Sequence, residues 1–140
     1  SRHGVSSDAR AAIRRAAKSA HMLRYAPVPV HGDPVPANML AAGKGPVLID
    51  WQCPARGEAA TDLALFLSAA MHTRYGTGPL TSAQARGFRR AYGIKRTLAR
   101  YDDIAPALHA RIAMHCLVHD DHTALKAEIA LLNRLGQAGR

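Results

Sequence analysis

Apolar residues recur every third or fourth position through residues 9–25, where Ile13, Ala16, Ala17, Ala20 and Leu23 alternate with basic side chains. That spacing predicts an amphipathic helix. Ser7 or Asp8 would cap its first turn. Pro27 and Pro29 would end it, because proline biases the preceding residue towards extended backbone. Val28 and Val30 then lead in extended form to His31. Two short apolar runs, Met39-Leu40-Ala41 and Val47-Leu48-Ile49, flank a Gly-rich stretch and predict a β-hairpin over 39–50. Residues 52–57 read as loop. Residues 59–75 are apolar nearly all round, the pattern of a buried central helix. Gly76, Gly78 and Pro79 break it. Thr81 or Ser82 caps a further helix to about Tyr92, and Gly93 stops that one. Asp102 or Asp103 opens another through Ile104, Leu108, Ile112, Met114 and Leu117. A last amphipathic helix follows Asp120-Asp121 through Leu125, Ile129 and Leu132 to Gly136. The expected architecture is one domain over residues 1–140, mainly α with a small β-hairpin, its C-terminal helices at about 82–136.

Composition narrows this. With 48% apolar and 21% charged residues the chain has an ordinary globular balance. Aromatics make up 5%, which favours helices packed through small side chains over a sheet built on aromatic and β-branched residues. No apolar run approaches the eighteen or so residues of a bilayer span, and Ser1-Arg2-His3-Gly4 has no signal-type hydrophobic region, so a cytoplasmic location without membrane contact is expected. The missing initiator Met suggests a trimmed chain whose other parts lie upstream. Cys53 and Cys116 form no C-x-x-C pair and read as two reduced thiols. The net charge of +9 is carried by fifteen Arg and four Lys against ten acids. No basic run exceeds Arg14-Arg15 or Arg89-Arg90 and no aromatic platform accompanies them, which argues against nucleic-acid binding. Phosphorylated small molecules or a missing lobe would use the charge equally well.

The candidate chemistry lies in His31-Gly32-Asp33-Pro34-Val35-Pro36-Ala37-Asn38, followed twelve residues after Asn38 by Asp50-Trp51. A carboxylate to orient a hydroxyl, then an amide and a second carboxylate to hold Mg²⁺, are the acidic half of a phosphoryl-transfer site. The hairpin between them would fold Asp50 back beside Asn38. Taken alone, Asp33 beside Pro34 would be a turn residue and Asn38 a capping amide. Asp50 is harder to explain that way, because a carboxylate closing a buried strand is costly unless paired or metal-bound. A Gly-rich loop and a strand lysine, the usual phosphate-covering parts, are missing. His115, His119 and His122 fall on one stripe beside Cys116, but the stripe crosses an expected helix boundary at Asp120-Asp121 and reads better as exposed histidines than as a zinc site.

These motifs, with Gly57 and the Asp62-Leu63-Ala64 step, resemble the aminoglycoside phosphotransferase and choline kinase-like family of the protein-kinase-like fold. The resemblance spans residues 31–64 and implies the C-terminal lobe of that α+β fold, with the N-terminal lobe absent. It implies Asp33 as the catalytic base, Asn38 and Asp50 as Mg²⁺ ligands, and His31 and Asp62 as supports of the catalytic loop 31–38. Asp62 would hydrogen-bond the loop backbone from the central helix. Gly32 stands where many protein kinases have Arg, so activation by phosphorylation is not expected. Pro34 departs from the family pattern and removes a backbone donor. The expected reaction is γ-phosphoryl transfer from ATP, or another nucleoside triphosphate, to a hydroxyl of a small molecule, with the chain inactive alone and prone to self-association. A non-catalytic remnant serving as a binding or structural module is the alternative. The scarcity of acid points away from polycationic acceptors and towards neutral or anionic ones.

Overall fold

The computed structural model describes residues 6–18 and 25–138. Helix α1, Ser7–Ala17, is capped by Ser6, whose hydroxyl accepts the Ala9 N–H; the cap therefore falls one residue before Ser7. The expected continuation through Ala20 and Leu23 lies outside the described residues, as do residues 1–4. Strand β1, Val28–Val30, follows. A 3-10 turn, Pro36–Asn38, leads into the hairpin of β2, Met39–Ala42, and β3, Gly45–Leu48. The hairpin register pairs Met39 with Leu48 and Ala42 with Gly45, leaving Gly43-Lys44 as a two-residue turn.

Residues 52–57 are not all loop. Ala55–Gly57 forms β4, antiparallel to β1, with Val28 opposite Gly57 and Val30 opposite Ala55. Three residues carry too little alternation to announce a strand; the pairing partner decides it. The two sheets are nested. The outer β1–β4 pair closes around residues 31–54, and the inner β2–β3 pair closes around the turn at 43–44. The two stretches between outer and inner pair, 31–38 and 49–54, therefore run alongside each other.

The expected single helix over 59–75 is two helices, α2, Ala59–Leu67, and α3, Ala69–Tyr75, broken at Ser68 with extended backbone. The cause lies 60 residues away. The Ser68 hydroxyl donates to Glu128 Oε2 at 2.8 Å and caps α3 by accepting the Met71 N–H at 3.1 Å. The Ala70 N–H donates to the same Glu128 oxygen at 2.8 Å. An unbroken helix would have tied that N–H into its own ladder and left a buried carboxylate short of donors. Glu128 Oε1 takes a third bond at 2.6 Å from His109 Nδ1, and His109 Nε2 bonds the Tyr101 hydroxyl at 2.8 Å. Glu128, His109 and Ser68 are each 0% exposed. Burial pushes the Tyr101 phenol well above its usual range.

Helix α4, Ser82–Tyr92, is opened by a capping box between Thr81 and Gln84 and stopped by Gly93 in the left-handed region. Helix α5, Lys95–Val118, starts well before Asp102, which lies inside it, as does Pro106. The apolar stripe explains the earlier start: Leu98, Tyr101, Ala105, Leu108 and Ile112 share one face, so packing carries the helix across the proline. After Asp121, whose carboxylate accepts the Ala124 N–H, α6 runs His122–Ala138, past Gly136. The centre of the bundle is α5, packed on α1, α2 and α6, rather than the 59–75 segment. Ala60, Ala64, Ala105, Ala110, Ala113 and Ala124 are buried where these helices meet. Small side chains there let the helix axes approach closely. Among the described residues no helix is long and apolar enough to cross a membrane.

Candidate active site

The nested hairpins decide which acidic groups meet. The Asn38 carbonyl accepts the Ile49 N–H at 2.9 Å, extending the β2–β3 ladder by one rung and setting Asp50 just beyond it. His31, buried beneath both stretches, joins them a second time. Its Nδ1 accepts the Asp33 N–H at 3.3 Å and its Nε2–H donates to the Ile49 carbonyl at 2.9 Å. Both ring nitrogens are thereby used, and the ring packs 4.4 Å from that of Trp51. Trp51 is itself exposed and donates through Nε1 to the Leu48 carbonyl.

Asp62, in the first turn of α2, holds the loop from below. Its two carboxylate oxygens accept the His31 N–H at 2.7 Å and the Gly32 N–H at 3.1 Å. Charge-assisted bonds of this kind contribute about 1.5–3 kcal/mol each. The position in the first helical turn adds a favourable dipole. Gly32 turns the chain at φ 85°, and a Cβ there would run into the Cys53 carbonyl oxygen on the facing stretch. Only glycine meets both demands.

Asp33 is exposed. The Asn38 amide nitrogen donates to the Asp33 carbonyl at 2.9 Å and to its carboxylate at 3.1 Å. That orientation leaves the Asn38 side-chain oxygen turned the other way, with no donor bonded to it among the described residues. Asp50 is exposed too and sits at φ 61°, left-handed backbone that costs a non-glycine residue about 1–2 kcal/mol. Strain of this size persists only where surrounding bonds over-determine it, and it clusters at functional sites. An amide oxygen and a carboxylate are hard donors suited to Mg²⁺, which takes few protein ligands and keeps water and phosphate for its remaining positions. The donor set fits such an ion. No group of three or more His, Cys, Asp or Glu able to hold a metal occurs among the described residues. His115 and His119 end α5 with rings 4.3 Å apart, and His122 begins α6 beyond the turn.

Asp33 opens onto a cleft of about 520 Å³ whose other walls carry Arg74 of α3 and Arg111 and His115 of α5. The motifs at 31–64 give no sign of these side chains. Arg111 and His115 stand four apart on one helix and so share a face, which is the one signal the sequence holds for them.

Asp33 on the cleft wall, the Asn38 amide bonded to it and Asp50 on the facing stretch are groups that phosphoryl transfer uses. The chain belongs to the phosphotransferase enzyme family, whose family model matches residues 3–107. That span contains His31, Asp33, Asn38, Asp50 and Asp62. No curated protein and no solved structure matches the chain.

Proposed function

We propose that the chain is the catalytic C-terminal lobe of an ATP-dependent phosphotransferase acting on a hydroxyl of a small molecule. The observation that carries this reading is the joint fixing of Asp33 and Asn38, with Asp50 one rung beyond. Asp33 accepts the acceptor hydroxyl's hydrogen bond and takes its proton as the oxygen bonds to the γ-phosphorus. The bond from that phosphorus to the β–γ bridging oxygen breaks, and the nucleoside diphosphate leaves with the electron pair. Asn38 does two jobs through one amide: its nitrogen aims the Asp33 carboxylate, and its oxygen faces the metal side. Asn38 and Asp50 would hold Mg²⁺, which when bound neutralises charge on the nucleotide phosphates. His31 and Asp62 keep the loop in place without touching substrate.

Lys18, Lys44, Lys95 and Lys126 are all exposed, and none lines the Asp33 cleft. In this reading the phosphate-clamping lysine would come from a second lobe, and the 140 residues alone should turn over no nucleotide. The same observation is what favours the rival reading, a non-catalytic kinase-like remnant acting as a binding or structural module. An apolar groove of about 540 Å³ between Met39, Val47 and Leu48 of the hairpin and Phe66 and Phe88 is left open, which favours self-association of the isolated chain.

The proposed metal site can be tested on the chain itself, whereas turnover by a two-lobed protein separates catalysis from the remnant reading. With ADP present, Mn²⁺ in place of Mg²⁺ should broaden the amide NMR signals of Asn38, Ile49 and Asp50. Asp50→Ala should abolish the broadening with the circular dichroism unchanged. Equal broadening in the variant would place the metal on other ligands.

A further inference from the structure

We infer that the Asp33 cleft takes an anionic acceptor: a small hydroxyl compound that also carries a carboxylate or phosphate. The inference rests on the phosphotransferase reading for the word acceptor, but its physical basis is the cleft's own charge. Asp33 supplies the carboxylate at its mouth, and in the proposed reaction that group is committed to the hydroxyl. Two guanidiniums and an imidazole face it from Arg74, Arg111 and His115. Arg74 is partly spoken for. It lies 3.5 Å from the Asp121 carboxylate and 5.4 Å over the Tyr75 ring. Arg111 is exposed and makes no ion pair among the described residues, so its planar fork is available to a ligand. Arginine is suited to carboxylate and phosphate because it presents two parallel N–H groups to two oxygens.

A cationic acceptor would meet the reverse. Its charge would lie against Arg111 with no second carboxylate lining the cleft to neutralise it, and like charges brought together in a partly desolvated site repel strongly. Met71 and Ile112 give the cleft an apolar floor, and its volume lies within the range of small-molecule sites. Arg111 and His115 lie beyond residue 107, where the family match ends. Arg74 lies within that match, so the groups that would choose the acceptor come from both sides of its end.

The test uses the 140-residue chain and three small hydroxyl compounds of different charge: glycerol 3-phosphate, glycerol and choline. Glycerol 3-phosphate should give saturable NMR shifts at Gly32, Arg111 and His115, with none from glycerol or choline at the same concentration. Arg111→Gln should weaken that binding about tenfold or more, the usual effect of losing a charge-assisted bond. Arg10→Gln, on the exposed face of α1, should leave it unchanged and so exclude a response to net charge alone. Choline binding in the cleft as tightly as glycerol 3-phosphate would overturn the inference. So would shifts that ignore Arg111→Gln, or that track Arg10→Gln equally. Failure of the phosphotransferase reading looks different: Mn²⁺ and ADP would leave Asn38 and Asp50 unperturbed while glycerol 3-phosphate still shifted Arg111.

Discussion

Asp33 and Glu128 are both carboxylates held by named donors, yet they sit at opposite extremes. Glu128 is sealed among three helices and accepts three bonds, from Ser68, Ala70 and His109. Asp33 is open to the cleft, and its carboxylate receives one side-chain bond, from Asn38. A carboxylate whose accepting capacity is filled by its own protein is architecture. One that is aimed and left unfilled has capacity over for something that is not protein. The same holds for the two carboxylates flanking the loop: Asp62 accepts two backbone N–H groups and supports it, while Asp50 is held in strained backbone and left open.

The contrast is broken most sharply at Asp33. In a two-lobed protein carrying this chain, Asp33→Asn should lower turnover on the order of 10²–10⁴, the usual worth of a general base. Its unfolding midpoint in urea should hardly move, because an exposed group with one side-chain bond is being exchanged for a near-isostere. Near-normal turnover would remove Asp33 as the base. Glu128→Ala should show the opposite profile. Emptying a buried site that satisfies Ser68, Ala70 and His109 should cost about 3–5 kcal/mol, read as a lower urea midpoint. Any activity that remains should then follow the folded fraction. A Glu128→Ala protein of unchanged stability would mean the network is ornamental.

The smallest effect sharpens the comparison through pH. Burial raises the Cys116 thiol from an ordinary value near 9 up to about 11, and Tyr101 is displaced in the same direction. For an acid raised in the folded state, the stabilising contribution is whole below the unfolded value and is lost as pH climbs through the folded one. The thiol's contribution should therefore be constant below about pH 9 and fall above it, by at most about 1.4 kcal/mol per pH unit. Cys116→Ala should remove the first part of that fall. A fall of the same onset and slope in Cys116→Ala would assign it to other groups.

These carboxylates also mark what can be read from the chain and what cannot. The hairpin is legible because two apolar runs flank a Gly-rich turn, and its consequence for Asn38 and Asp50 follows from geometry. Asp62 is legible as an acidic side chain in an apolar helix, which must find donors. Glu128 offers no such signal. Its partners lie 58 to 60 positions away at Ala70 and Ser68 and 19 away at His109, and no local period records a pairing over those distances. The break at Ser68 is hidden for the same reason, since local pattern favours one continuous helix and a distant carboxylate outweighs it. Strand β4 is hidden because its strand character comes from β1. The early start of α5 is masked by Asp102 and Asp103, which look like a cap but sit on an exposed face, Asp102 bonded to Arg89.

The close approach of Gly32 to the Cys53 carbonyl has a consequence for how this protein could be regulated. Many protein kinases carry an arginine at that place, where it pairs with a phosphate on a neighbouring loop. Here no side chain fits, and the backbone at φ 85° resists one as well. Gaining such a control would require residues 52–54 to move away before, or together with, the change at position 32. The intermediate steps would disturb the stretch that carries Asp50. While residues 52–54 keep their present path, a phosphate-pairing arginine has no room at position 32, and the two stretches would have to change together to admit one.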